Sequence, residues 1–491
     1  MSIHPLLRLT PYDMISIIRN GLQKTSIPKK MIIVGAGMAG LVAASLLKEA
    51  GHHITILEAS DRVGGRIYTL RSPFTEGHYI DVGAMRIPHI HYLVLEYIRK
   101  FQLPIHPFFN RTPNDLIHVN GIQTRRKTYE QNPDILNYPV APREKGKTEN
   151  QLIQTAVQPL VQFINQNPMK NWGVVIKAFD KYSLDTFFRH NPVGARLSPG
   201  AIEMINVLSD TEGLSELSFL EILREYLILS NPDVHFYEIA GGNDRLPRAF
   251  LPQLKNEILF RQKMKKIVQH DNRVTIHSVH TKSLKPFKIT GDLAIITIPF
   301  SVLQWVEVEP RYSFSHNKWK AIRELHYVPA TKIGIQFKNR FWEKEGMYGG
   351  KTITDNPTRF TYYPSHGFGE QEGVVLASYT WEDDALLWNS LSQEDQVHQA
   401  LNIMATYHGE DIKRQFVTGS AQNWVQNPYS GGAFAMFKPE HEKELFPYIL
   451  APEGRVHFAG EHASTSRTWI QGAVESGIRV ACETNNRPKF P

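Results

Sequence analysis

Met31-Ile-Ile-Val-Gly-Ala-Gly-Met-Ala-Gly-Leu-Val-Ala-Ala-Ser-Leu-Leu-Lys-Glu-Ala-Gly-His-His-Ile-Thr-Ile-Leu-Glu58 is a short apolar run, a glycine-rich turn, a helical pattern and a second apolar run ending in an acid. Met31 to Val34 has the unbroken hydrophobicity of a strand buried on both faces. The G-x-G-x-x-G of Gly35, Gly37 and Gly40 falls where such a strand must turn into a helix, so the stretch reads as a dinucleotide-binding βαβ unit. Gly35 permits the tight turn, Gly37 leaves room for a pyrophosphate, and Gly40 lets the helix pack closely on the sheet. Together with Ala36, Met38 and Ala39 they form a helix start whose free N–H groups face phosphate. Glu58 stands where a carboxylate accepts hydrogen bonds from the adenosine ribose, which disfavours a 2′-phosphate and hence NADP.

Directly after Glu58 comes Ala59-Ser-Asp-Arg-Val-Gly-Gly-Arg66. Gly64 and Gly65 allow a second close backbone approach, and Arg66 can supply a charge-assisted contact to phosphate. This run resembles the second FAD signature of the flavin amine oxidase superfamily, at the spacing that superfamily uses. The resemblance implies FAD rather than a nicotinamide cofactor.

The chain has 491 residues, enough for about two to three domains. Its 42% hydrophobic and 21% charged content is ordinary for a globular enzyme with a sizeable core. The formal charge of +7 comes from 55 Lys+Arg against 48 Asp+Glu, and no basic run with interleaved aromatics points to nucleic acid. A single cysteine, Cys482, excludes an intramolecular disulfide and any multi-cysteine metal site, which favours a reducing compartment. Met1 to Lys30 lacks the apolar core and small-residue cleavage site of a secretory signal, and no apolar run reaches membrane-spanning length. A cytoplasmic location without a membrane span is therefore expected. Within the leader, Pro11 to Gly21 reads as a short amphipathic helix ended by glycine and packed on the folded body.

A helical pattern is expected near His91 to Phe101, and the polar, proline-containing stretch Arg125 to Gly146 reads as a surface loop. From Thr148 to Ser230 apolar residues recur at helical spacing, forming either scaffold or the lining of a substrate entrance. Tyr237 to Phe250 returns to a glycine turn feeding a helix, followed by strand-like Lys263 to Val268, Arg273 to Ser278 and Asp292 to Ile298. Tyr327 to Lys438 alternates as a mixed sheet does.

Four further stretches resemble the L-amino-acid oxidases, a branch of the flavin amine oxidases. In Asp81-Val-Gly-Ala-Met-Arg-Ile-Pro88, residues Gly83, Ala84, Met85 and Arg86 match the loop beside the flavin ring, whose arginine clamps the substrate carboxylate. A guanidinium offers the bidentate fork such a clamp needs. Lys332, in Ala330-Thr-Lys-Ile-Gly334, matches the lysine that holds a water near flavin N5; Tyr379 matches a tyrosine that also binds the carboxylate. Pro428-Tyr-Ser-Gly-Gly-Ala-Phe434 has Ala433 where monoamine oxidases place the cysteine bonded to FAD, so noncovalent FAD is expected. In the last stretch Glu461 resembles the acid on the ribityl chain, and Trp469, Ile470, Gln471, Gly472 and Ala473 resemble the helix start under the flavin pyrimidine. Met264 matches the position whose backbone pairs with adenine. Thr468 stands where the family often has glycine; its carbonyl would meet the substrate amine. The active-site histidine that the family draws from its helical domain has no counterpart among residues 219–232.

The resemblance implies an α/β (mixed α+β) fold in three parts. These are a Rossmann-like FAD-binding domain (26–70, 237–325 and 440–491), a substrate-binding domain with a mixed β-sheet (1–25, 71–129 and 326–439), and a helical domain (130–236). It implies FAD-dependent oxidation of an L-amino acid by O₂ to a 2-oxo acid, ammonia and hydrogen peroxide, with Arg86, Tyr379 and Lys332 at the chemistry. A homodimer is expected on family grounds alone. Trp381, Phe434, Thr468 and Trp469 would wall the substrate site; the aromatic pair either favours an aromatic or large hydrophobic side chain or fills the pocket against one. No acid is evident there to receive a cationic side chain. The alternatives are an oxidase of carboxylate-free amines, an amino-acid monooxygenase giving amide and CO₂, and a flavin-fold protein without turnover. His52, His53 and His462 lack metal-ligand spacing, so no metal is expected.

Overall fold

The computed structural model describes residues 9–486; residues 1–8 of the leader and 487–491 of the last segment lie outside that range. Its first helix, Pro11–Asn20, begins in a capping box in which Thr10 and Asp13 each accept from the other's backbone N–H, and ends at Gly21, held at φ +77°. Met14 and Ile18 bury the apolar face, and Arg19 makes a bidentate ion pair with Glu96 of the helix Tyr92–Lys100. The leader helix is thus tied to the body.

Five parallel strands follow the order Ile258–Leu259, His53–Leu57, Lys30–Val34, Leu293–Ile296, Val456–Phe458. Met31 to Val34 is buried on both faces because the helices Met38–Glu49 and Ile470–Asn485 cover one side and a second apolar cluster covers the other. At Gly40 a Cβ would sit 2.0 Å from the Gly35 carbonyl oxygen, so only glycine allows the first helix to lie this close to the strand end. Antiparallel strands Gln262–Gln269, Val274–His280 and Pro286–Gly291 form a separate sheet beside it, joined in parallel by Glu307–Glu309.

The larger sheet has seven strands in the order Phe416–Asn423, Ala330–Phe337, Gly373–Trp381, Phe360–Tyr362, Lys351–Thr354, Leu116–Val119, Ile122–Arg125. It is mixed, since Lys351–Thr354 runs parallel to Leu116–Val119. Helices Glu149–Gln166, Pro168–Phe179, Leu184–His190, Pro199–Ser209 and Phe219–Leu229 share one apolar core with this sheet. Thr148, Asn167, Ser183 and Ser198 cap the first four of them.

The stretch expected to loop over the surface from Arg125 to Gly146 is instead partly helical and partly buried. Arg126–Gln131 is a helix and Pro133–Leu136 a 3₁₀ turn, with Tyr129 and Leu136 fully enclosed. Its polar composition misleads because the charges are satisfied inside: Arg126 pairs with Asp115 at 3.1 Å and Glu149 at 3.5 Å, while the Tyr129 hydroxyl donates to Glu149 at 2.6 Å.

The helical layer is fastened to the C-terminal segment by a buried ion cluster. Arg467 donates to both oxygens of Glu221 at 2.7 and 2.9 Å and to Glu442 at 2.8 Å, and Arg224 pairs with the same two acids. Removing one member strands the others in a low-dielectric interior. Arg467→Met is therefore expected to lower stability by about 3–5 kcal/mol in denaturant unfolding. Breaking the exposed Lys320–Glu444 pair with Lys320→Ala should leave the curve nearly unchanged. Equal effects from the two substitutions would contradict this account.

Candidate active site

A cavity opens at the carboxyl ends of the parallel strands, where Val34 and Leu57 reach it, and continues between the mixed sheet and the helical layer. Every cofactor- and substrate-side residue expected from the sequence lines it except Ala36, Gly40, Gln471 and Gly472. Those four stand behind the wall. Ala36 donates its N–H to Glu58, Gly40 packs on Gly35, Gln471 accepts the Val94 N–H, and a Cβ at Gly472 would meet Ser464 and Ser466 at 2.2 Å.

At the nucleotide end, Gly37 caps the helix Met38–Glu49 without a side-chain partner, and a Cβ built on it would meet nothing within 4 Å. The helix start thus presents its backbone to open cavity, the arrangement a pyrophosphate needs. Gly64 and Gly65, at φ +104° and +57°, bring a second backbone segment against Gly37. Glu58 is fixed at the strand end, accepting from Ala36 N–H at 2.7 Å and from the Ser60 N–H and hydroxyl at 2.8 and 2.7 Å. Arg66 and Glu461, expected to reach different parts of the nucleotide, are paired with each other at 2.7 Å; Arg66 also donates to the Ala433 carbonyl at 3.2 Å. These residues fit an extended dinucleotide: a bare helix start, two glycine approaches and a ribose-side acid along one cleft.

At the other end Arg86 is buried, donates to Asn110 and to the Tyr362 hydroxyl (3.1 Å), and has no carboxylate partner among the described residues. Burial alone would raise the Tyr362 phenol, but the Lys351 ammonium and then Arg86 bring it below its ordinary value. Lys332 and Tyr379 face each other across neighbouring antiparallel strands, which is why residues 47 positions apart share one wall. The Lys332 Nζ donates to the Gly83 carbonyl at 2.7 Å and the Asp81 carbonyl at 3.3 Å, and lies 4.2 Å from the centre of the Tyr379 ring. Burial brings its ammonium down to about 7, against the opposing charge of Asp81. Burial pushes the Tyr379 phenol up to about 12, so it remains a donor. Trp381 meets Tyr379 edge-to-face at 5.0 Å and Phe434 at 6.4 Å, and all three rings line the cavity.

Thr468 and Trp469 complete the cavity beside the helix Phe219–Leu229, and here the structure corrects the sequence. An acid is present: Glu225 accepts from the Thr468 hydroxyl at 2.6 Å and from the Trp469 indole N–H at 2.9 Å. It faces the cavity from the helix that lacks the expected histidine. Burial raises its carboxyl to about 7, with Glu221 adding and Thr468, Trp469 and Arg86 opposing. The signal was the spacing of Glu221 and Glu225, four apart on one face of a largely apolar helix whose other charged residue is Arg224. Asn110, Tyr362 and Lys351, which line the cavity, were also not anticipated, nor was His91, which meets the Trp469 ring edge-on at 4.9 Å. His52 is bonded to the Lys29 N–H and to Asn485, and no group of three or more His, Cys, Asp or Glu among the described residues is placed to hold a metal ion. No helix among those residues is long and apolar enough to cross a membrane.

A nucleotide cleft continuous with a chamber holding a buried arginine, a sheet lysine and an aromatic wall is the plan of a flavin-dependent amine oxidoreductase. The family described as flavin containing amine oxidoreductase matches residues 38–485, and the chain belongs to it. It is 54% identical over 477 residues to "Putative L-amino-acid oxidase YobN" of Bacillus subtilis (strain 168), covering 97% of this chain and 98% of that one. It is 37% identical over 484 residues to the L-amino-acid oxidase of Siganus canaliculatus, covering 98% and 90%. Cyclohexylamine oxidase from Brevibacterium oxydans IH-35A superposes with a TM-score of 0.75 at 18% identity, over 94% of this chain and 99% of that one. Putrescine oxidase bound to putrescine gives a TM-score of 0.69 at 18% identity, over 94% and 100%; at such identity the likeness concerns the fold alone.

Folding takes Lys332 from an ordinary value of 10.5 to about 7. Between those values the unfolded chain binds the extra proton, so stability rises as pH rises through the window. Lys332→Met is expected to be more stable than the parent at pH 7 by about 1–4 kcal/mol, a margin that narrows toward pH 10. Melting curves across that range check it; a margin independent of pH would mean that the folded state keeps the ammonium charged.

Proposed function

We propose that this chain oxidises an L-α-amino acid to the 2-imino acid, which water converts to the 2-oxo acid and ammonia, while O₂ becomes hydrogen peroxide. In this proposal the nucleotide-binding unit is 26–70, 237–325 and 440–491, the substrate-binding unit 1–25, 71–129 and 326–439, and the helical unit 130–236. The observation that carries the proposal is Arg86: a buried guanidinium that opens on the cavity with no carboxylate to pair with among the described residues. A buried charge left unpaired is costly, and a substrate carboxylate would supply the missing partner. A carboxylate-free amine would leave it stranded. The relatives named L-amino-acid oxidase support the same choice.

FAD bound in the cleft supplies the two-electron acceptor. Gly35, Gly37, Met38 and Ala39 would hold its pyrophosphate, Glu58 its ribose, and Glu461 with Ile470 and Ala473 the part nearest the chamber. Ala433 lines the cavity with a methyl group that can form no thioether, so the cofactor is held without a covalent bond. The protein's part is orientation. Arg86 and Tyr379 fix the carboxylate, the Thr468 carbonyl receives the amine, and Trp381 and Phe434 take an aromatic or large hydrophobic side chain. Lys332, with Nζ anchored by two carbonyls, can release or accept a proton near neutral pH.

Arg86→Ala should cost about 2–5 kcal/mol in kcat/KM for L-amino acids. Turnover and preference unchanged in a peroxide assay over L- and D-amino acids and phenethylamine would refute the clamp. The products separate the alternatives: 2-oxo acid with peroxide, aldehyde with peroxide, or amide with CO₂. Acid or heat denaturation should release a yellow cofactor with the mass of FAD, whereas colour retained on the precipitated polypeptide would show covalent attachment.

A further inference from the structure

Glu225 is a carboxylate without a counterion. It faces the same cavity as Arg86, yet no lysine, arginine or histidine lies within ion-pair distance of it among the described residues. Its hydrogen bonds are unequal. Oε1 accepts both the Thr468 hydroxyl at 2.6 Å and the Trp469 indole N–H at 2.9 Å, whereas Oε2 has only a longer 3.2 Å contact to that indole. One oxygen is thus committed to the protein and the other is left with acceptor capacity toward the chamber. Glu221, one turn earlier on the same helix, has the opposite fate, because Arg467 and Arg224 neutralise it. A helix that pairs one acid fully and leaves its neighbour unpaired in a substrate cavity leaves a position for a cation brought from outside.

We propose that Glu225 is a specificity-determining residue that receives a cationic nitrogen of the substrate. The inference rests on the amino-acid reading of the site and narrows it: the chamber would engage a carboxylate through Arg86 and an ammonium or guanidinium through Glu225. That nitrogen can come from two sources. Either it is the α-ammonium, since the amino-acid reading brings the amine to Thr468 and the Thr468 hydroxyl donates to Glu225, or it is the cationic end of a lysine-like side chain lying along Trp469.

The charged groups facing Glu225 are Glu221, which is already paired, and Arg86; Thr468 and Trp469 donate to it as neutral groups. Burial sets its carboxyl at about 7, so the ion is the main form above that value and is lost below it. Substrate affinity that depends on this ion should therefore fall as pH drops through about 7.

The test uses the holoenzyme and E225Q, which keeps an acceptor oxygen for Thr468 and Trp469 but removes the charge. Calorimetry at pH 8 would compare tert-amylamine, a cation with no α-hydrogen to lose, with 2,2-dimethylbutanoate, its carboxylate counterpart. Exchanging a charged for a neutral acceptor should weaken tert-amylamine binding by about tenfold or more and leave the carboxylate unchanged or tighter. In turnover, E225Q should raise KM far more than it lowers kcat and should lose the fall in affinity near pH 7, while Glu225→Asp restores part of both. A loss confined to L-lysine, L-ornithine and L-arginine places the nitrogen on the side chain; an equal loss for L-leucine and L-phenylalanine places it at the α-carbon. Unchanged tert-amylamine affinity, or a loss matched by the carboxylate probe, overturns the proposal. A parent enzyme that oxidises amines but no α-amino acid would refute the amino-acid reading instead, and the tert-amylamine comparison would still decide the role of Glu225.

Discussion

The structure depends most on a buried exchange of four charges. Arg467 and Arg224 are each shared between Glu221 and Glu442, with the Arg467 guanidinium also 3.8 Å from the centre of the Phe437 ring. Such a cluster adds little net stability over well-packed apolar residues, but it tolerates only one register, because a slip leaves a charge unpaired. Arg467 immediately precedes Thr468 and Trp469, and Glu221 lies one turn before Glu225. The same contact therefore sets the two sides of the chamber against each other. The helical layer is part of the site through this tie.

Next to that anchor the backbone is strained. Thr468 sits at φ +70°, a left-handed conformation that a β-branched residue rarely adopts. Three restraints hold it: the preceding Arg467, the Glu461 carboxylate accepting its N–H at 3.1 Å, and Glu225 accepting its hydroxyl. Glycine would take this conformation without cost but would bring no hydroxyl. Threonine here exchanges backbone ease for a fixed link between the carbonyl expected to meet the amine and the acid on the facing helix.

Much of the nucleotide half was legible because its constraints are local. A strand, a turn and a helix within 28 residues leave little freedom in where Gly35, Gly37 and Glu58 can stand, and the parallel pairing of Met31 with Ile54 and Leu293 follows from runs too apolar to be exposed. The substrate half is built by long-range pairing. Lys332 and Tyr379 are partners only because two strands align, and the sequence offered them only through likeness to a family. Glu225 was missed because an acid on an amphipathic helix ordinarily marks the solvated face. Arg126 to Leu136 was misread for the same reason, since its polar residues are satisfied by partners that the sequence places far away or leaves unspecified. The strand, turn and helix from Met31 to Glu58 can be read from neighbouring residues; the wall opposite takes shape only when distant strands and helices meet.

The chamber's charges are not equally permanent. Burial lowers the Lys351 ammonium, and it pushes the Lys332 ammonium down and the Glu225 carboxyl up, each to about 7, so these last two can shed their charge when nothing arrives to pair with it. A guanidinium cannot, because it does not lose its proton in a protein. Arg111 and Arg126 line this end too but are paired with carboxylates, so Arg86 is the guanidinium here without one among the described residues, and Asn110 and Tyr362 soften its isolation without neutralising it. An anion is the partner the cavity always lacks, whereas a cation is one it can accommodate by ionising Glu225. That asymmetry ranks the two proposed recognitions: the partner proposed for Arg86 would meet a charge already present in the resting protein, whereas the proposed contact to nitrogen would depend on pH and on the nitrogen itself.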